Sequence, residues 1–153
     1  MNIQLLFFNE TMQESQNSPS LITYQDAKEQ RVDDPKNLYT PRWYRLKKSR
    51  RLKKSRRQGW CGLCNPGKWL AGAEYTYHKR YCHGIDPVTG WRYELPQVVQ
   101  MTSDTFRGFC GECKDWKILG SKSQLKNSWV RHMIEVSMVN FLLGPNKRCG
   151  LLT

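Results

Sequence analysis

A chain of 153 residues, 39% of them hydrophobic, has room for one ordinary domain or two very small ones and excludes a large multilayered core. Its formal net charge of +12 favours an anionic partner, nucleic acid first and acidic membrane second. No stretch reaches the roughly 20 apolar residues of a membrane span, and Met1 to Phe8 lacks the basic start and the apolar length of a secretory signal. The six cysteines are therefore read as reduced metal ligands rather than as three disulfides.

Residues 1–37 are polar, rich in Gln, Ser, Asn and Asp, and are expected to be disordered, with a helical turn or two around Tyr24 to Val32. The charge changes sign along the chain. Residues 1–41 carry six acidic and three basic side chains (net −3), and residues 42–153 carry seven acidic and twenty-two basic (net +15).

Residues 38–57 open with Leu38-Tyr39-Thr40-Pro41-Arg42-Trp43 and continue as a basic linker. A hexad, Arg45-Leu46-Lys47-Lys48-Ser49-Arg50, is repeated in tandem as Arg51-Leu52-Lys53-Lys54-Ser55-Arg56, and Arg57 follows. The basic residues are Arg42, Arg45, Lys47, Lys48, Arg50, Arg51, Lys53, Lys54, Arg56 and Arg57, with no acidic residue among them. Such a run suits a nuclear import receptor and can neutralise several phosphates. These ten residues, with Lys79 and Arg80, are the candidate nucleic-acid-binding set.

Residues 58–84 form the first candidate zinc module, Cys61-x2-Cys64-x13-His78-x4-His83. Two cysteines separated by two residues wrap a tight turn around one ion, and two histidines on one helix complete four N/S ligands suited to tetrahedral Zn2+. Trp69 and Tyr75 stand at the two core positions of an ordinary finger, both displaced by one residue, as an insertion in Asn65-Pro66-Gly67 predicts. Cys82 competes with His83 for the fourth position, and His83 keeps the usual interval. The base-reading positions of such a helix would hold Ala71, Glu74 and Tyr77, none of them the Arg or Asn that reads purines best. Conventional groove recognition by this helix alone is not expected.

Residues 85–107 read as a connector, with a turn at Ile85 to Gly90 and extended chain from Trp91 to Gln100 broken by Pro96. Residues 108–143 read as a second, degenerate module, Cys110-x2-Cys113-x18-His132, followed by helical sequence from Met133 to Leu143. Its fourth ligand is missing where Val136 and Ser137 stand, which leaves Glu135, Cys149, a water or no metal. Residues 144–153 are a short basic tail. The two modules share aromatic-Cys-Gly-x-Cys, a following Trp, and an aromatic three residues before a His, which marks an internal repeat.

The expected fold is thus a small zinc-stabilised α+β chain of two related zinc-finger-like modules, the second incomplete, behind a disordered N-terminal segment. No general base or deaminase-like His-x-Glu with Pro-Cys-x-x-Cys is present, so no enzyme is expected.

The runs Leu38 to Trp43, Gly59 to Leu70, Tyr77 to Ile85, Gly108 to Trp116 and Ser128 to His132 closely resemble the C-terminal domain of Rua-type fungal transcription regulators. That family includes meiotically expressed fission-yeast proteins. The resemblance implies a fungal nuclear protein acting in transcription, with zinc ligation at Cys61, Cys64, His78 and His83 and at Cys110, Cys113 and His132. Two features depart from the family pattern: the basic hexad repeat, an insertion before the first Cys pair, and the absence of a Cys or His four or five residues beyond His132, where Val136 and Ser137 stand. The expected function is a nuclear, DNA-binding transcription regulator holding Zn2+. The alternative is a zinc-scaffolded protein-interaction module, and neither a membrane nor a small-molecule substrate is expected as partner.

Overall fold

The computed structural model describes Phe7 and residues 27–30, 33, 34, 36–48 and 54–143. Among the described residues, seven strands and two helices run in order: β1 (Ala27–Glu29), β2 (Trp43–Lys48), β3 (Ser55–Cys61), β4 (Lys68–Ala71), α1 (Gly72–His83), β5 (Val98–Thr102), β6 (Thr105–Cys110), β7 (Asp115–Gly120) and α2 (Leu125–Leu143); Phe7 is also helical. The strands make two antiparallel sheets, β1-β2-β3-β4 and β5-β6-β7. The chain divides into two compact units between Arg92 and Tyr93, the second of which also takes in Phe7. None of the helices is long and apolar enough to cross a membrane, among the described residues.

Each unit is built on one plan: a strand, a hairpin whose turn carries Cys-Gly-x-Cys, and a helix bearing histidine. Trp60 pairs with Trp69 across β3 and β4, their rings 5.1 Å apart, and Phe109 pairs with Trp116 across β6 and β7 at 5.5 Å. An arginine lies over the Trp in both: Arg45 at 4.6 Å and Arg107 at 5.7 Å from the ring centre. Such cross-strand aromatic and cation contacts hold small sheets that have few other apolar partners.

A second shared device lies outside the ligand motifs. In the first unit the Tyr75 hydroxyl donates to the Tyr39 carbonyl at 2.6 Å, while Pro41 packs where a Cβ on Gly59 would collide, 2.8 Å from the proline Cγ. In the second unit the Trp129 indole N–H donates to the Glu94 carbonyl at 2.7 Å, and Pro96 packs at 3.0 Å from the same position on Gly108. Each time the aromatic three residues before the first histidine grips the carbonyl two residues before a proline. The strap this makes, residues 38–41 or 93–96, closes the interior of its unit. Asn37 starts the first strap, its side-chain oxygen accepting the N–H groups of Tyr39 and Thr40.

Several sequence expectations change here. The Tyr24 to Val32 region holds strand β1 rather than a helical turn, because Ala27 to Glu29 pair with Trp43 to Arg45. The rest of the expected disorder in residues 1–37 lies mostly outside the described residues. Phe7 is 2% exposed and meets Trp129 edge-on at 6.2 Å, so this one side chain is packed. The basic linker is an antiparallel hairpin, with Tyr44 opposite Gly59 and Lys48 opposite Ser55. The segment 85–107 is only partly a connector. Asp86 organises its turn by accepting from Val88 and Thr89, whereas β5 and the first half of β6, Thr105 to Arg107, belong to the second sheet.

Candidate metal centres

The turn after β3 brings Cys61 and Cys64 together, and α1 brings His78 and His83 over them. All four ligand atoms lie within 4.8 Å of one another. Cys61 Sγ is 3.3 Å from His83 Nε2, Cys64 Sγ is 3.2 Å from His78 Nε2, and the two Nε2 atoms are 3.0 Å apart. Cys61 is fully buried and His83 is 3% exposed, while Cys64 and His78 are half-buried.

Local sequence explains why the histidines converge. His83 is the last helical residue, and Gly84 adopts the left-handed conformation (φ 65°) that lets the chain turn away at once. The N–H groups of Gly84 and Ile85 close the helix on the carbonyls of Arg80 and Lys79. Arg92 donates to the His83 carbonyl at 2.8 Å, which satisfies the end of the helix beside the ligand. Cys82, beside His83, is exposed and stands outside the cluster.

Electrostatics prepare the cysteines unequally. Burial works against ionising Cys61, but hydrogen bonds to His78 and His83 outweigh it and bring the thiol down to about 5. Burial and the neighbouring Cys61 push Cys64 up to about 11. Ionising both thiols at neutral pH therefore needs a cation between them, the usual coupling of metal binding to proton release.

Lys79, expected on the surface, is 1% exposed. Its ammonium donates to the Leu38 carbonyl at 2.8 Å and lies 5.5 Å from the centre of the Tyr75 ring. Burial lowers its pKa, opposed by the nearby Cys61 and Cys64. It is thus an internal counter-charge and strap anchor, out of reach of a phosphate. Tyr75, Lys79 and His83 fall at i, i+4 and i+8 and so share one face of the helix, but the carbonyl that receives the ammonium leaves no mark in the sequence. Arg80 is partly buried; Arg42, Lys47, Lys48, Lys54, Arg56 and Arg57 are exposed, and Arg45 is half-buried over Trp69. Arg50, Arg51 and Lys53 lie outside the described residues.

The second cluster brings Cys110, Cys113 and His132 together, again with all ligand atoms within 4.8 Å; Cys113 is disulfide-bonded rather than a free thiol, so the expectation that all six cysteines are reduced fails there. Cys113 Sγ is 3.5 Å from His132 Nε2. Burial brings His132 down to about 4, so its imidazole is neutral at pH 7, as a metal ligand must be. Of the candidates for a fourth ligand, Glu135 is exposed and outside the cluster, and Cys149 lies outside the described residues. Val136, at the fourth position beyond His132, is buried and packs as core at 2% exposure.

Comparison with known proteins agrees with this plan. A family described as "Transcription regulator Rua1, C-terminal" matches residues 33–137, a span containing all seven ligand candidates. The transcription regulator rua1 of Mycosarcoma maydis is 27% identical over 132 residues, 81% of this chain and 17% of that protein. No solved structure matches significantly. With two Cys/His clusters on repeated hairpin–helix units and a family match over most of its length, the chain belongs to the family of the C-terminal domain of transcription regulator Rua1.

Proposed function

We propose that this chain is a zinc-stabilised, DNA-binding unit of a nuclear transcription regulator. The buried convergence of Cys61, Cys64, His78 and His83 carries the reading. Two thiolates and two imidazoles are the soft, closed donor set of structural zinc, and a zinc tetrahedron with bonds of about 2.0–2.3 Å has edges of about 3.3–3.8 Å. The sulfur–nitrogen separations of 3.2–3.4 Å approach those edges. Nothing in this cluster leaves a position open for substrate, so zinc here builds the fold rather than performing a reaction.

The anionic partner follows from charge. The first unit presents exposed Lys and Arg along β2 and β3, and the chain carries +12 overall. Nuclear import through the same basic run, and sequence preference for a duplex, are part of this reading. The experiment is a binding titration of the zinc-loaded chain against a pool of random duplexes followed by selection. Enrichment of one sequence with steep salt dependence supports the reading, and equal affinity for every duplex removes the sequence-specific part. A protein partner is the second reading, favoured by Ile118 at 73% and Val98 at 47% exposure on the outer face of the second sheet. Co-purification of one partner without duplex binding would select it.

A further inference from the structure

In the first sheet, β1 pairs with β2 only at Trp43 to Arg45, and β4 pairs with β3 only at Gln58 to Cys61. The pairs Leu46–Arg57, Lys47–Arg56 and Lys48–Ser55 therefore run on beyond both flanking strands, as a two-stranded ribbon with no neighbour among the described residues. All six residues are exposed, four of them are cations and none is acidic.

We propose that this overhanging ribbon, and not helix α1, is the element that enters the major groove of B-form DNA. The proposal rests on the DNA-binding reading above and names the surface that would carry it. Strand partners share a face, so Lys47 and Arg56 point to one side, continuing the row of Arg45, while Lys48 and Arg57 point to the other. Arg57 is partly committed, lying over Tyr44 at 4.1 Å and bonding Gln30. Cations on both faces suit a partner with anionic walls on both sides, whereas a flat acidic membrane would call for one basic face. A ribbon of two strands about 4.8 Å apart fits a groove about 12 Å wide. The A-form major groove is too deep and narrow to admit it. Helix α1 is poorly placed to compete, because its face bearing Tyr75, Lys79 and His83 is buried, and Glu74 and Tyr77 are exposed on the other.

The comparison of the two units strengthens the case. Pro41 and Gly59 are 18 positions apart, while their counterparts Pro96 and Gly108 are 12 apart. The difference, 18 − 12 = 6, is the length of one copy of Arg-Leu-Lys-Lys-Ser-Arg. Both hairpins keep one register at their base: Tyr44 opposite Gly59 and Val99 opposite Gly108, each three residues after the proline. The six additional residues thus fall between Tyr44 and Gly59, and the pairing at the base of the hairpin keeps the register of its counterpart.

The test compares wild type with Lys47→Ala/Arg56→Ala and with the charge-keeping Lys47→Arg/Arg56→Lys, each checked for bound zinc. The ligands are a mixed-sequence 24-base-pair DNA duplex and the matching RNA duplex. The expected result is binding weakened by roughly 10–100-fold at 0.1 M salt in the alanine variant, with a log–log salt slope shallower by about 1.8. The charge-keeping variant stays near wild type, the RNA duplex binds less well, and methyl green in the major groove displaces the chain while netropsin in the minor groove does not. Undiminished binding by the alanine variant, or displacement by netropsin alone, overturns the ribbon assignment and leaves the DNA-binding reading standing. A zinc-loaded wild type that binds neither duplex but takes up an acidic peptide removes both.

Discussion

His83 and Cys82 sit side by side in sequence, and only His83 belongs to the Cys/His cluster. Helical geometry decides it: His83 turns inward beside Cys61, while Cys82 faces solvent. His83→Ala is expected to lose one zinc per chain in native mass spectrometry, and Cys82→Ser to lose none; retention of that zinc in His83→Ala would reverse the assignment. His132 gives a pH signature. Its folded pKa, near 4, lies below its ordinary 6.5, so the unfolded chain binds the proton more tightly. Stability of the second unit is then intact above about pH 6.5 and lost as pH falls towards 4. Thermal denaturation across that range should show the slope, and His132→Asn should flatten it. The members of the first Cys/His cluster were legible because a Cys-x-x-Cys turn and two histidines on one helix are local patterns. Lys79 was misread because a lone cation on a helix is ordinarily solvated; its burial depends on the Leu38 carbonyl, which has no side-chain mark in sequence.

Among the elements, the two straps and the β2–β3 hairpin were the least legible. A strap is held by one aromatic donor and a backbone carbonyl far away in sequence, so neither periodicity nor motif spacing reveals it. The hairpin hid for another reason. Arg-Leu-Lys-Lys-Ser-Arg has no alternation of apolar and polar residues, because its outer half has no core face to bury. Strand β1, three residues long, carried too little pattern to be seen. Gly59→Ala tests the first strap: the new Cβ would stand 2.8 Å from Pro41 and 3.0 Å from Tyr75. The expected cost is about 1–3 kcal/mol of stability, measured by denaturant unfolding of the zinc-loaded chain. A loss below a few tenths would mean that the strap gives way freely.

For the molecule as a whole, the sequence showed a repeat but placed its beginning too late. Read from the cysteines, the second unit starts near Gly108. Its strap and β5 move that start back to Tyr93. Each unit is too small to rely on its apolar interior alone, so metal should govern its stability. A chelator such as EDTA is expected to abolish the near-ultraviolet circular dichroism of the first unit's tryptophans, with recovery on adding zinc. A spectrum indifferent to EDTA would show a fold held by side-chain packing. The matched clasps, Tyr75 on Tyr39 and Trp129 on Glu94, also widen the internal repeat. With the Pro–Gly contact beneath each of them, what is repeated is a whole unit, strap included, and not a ligand motif alone. The two units differ where Ser137 stands at the position of His83, and where the first carries six more residues between its proline and its glycine. A change made to one clasp can therefore be read against its counterpart in the same molecule.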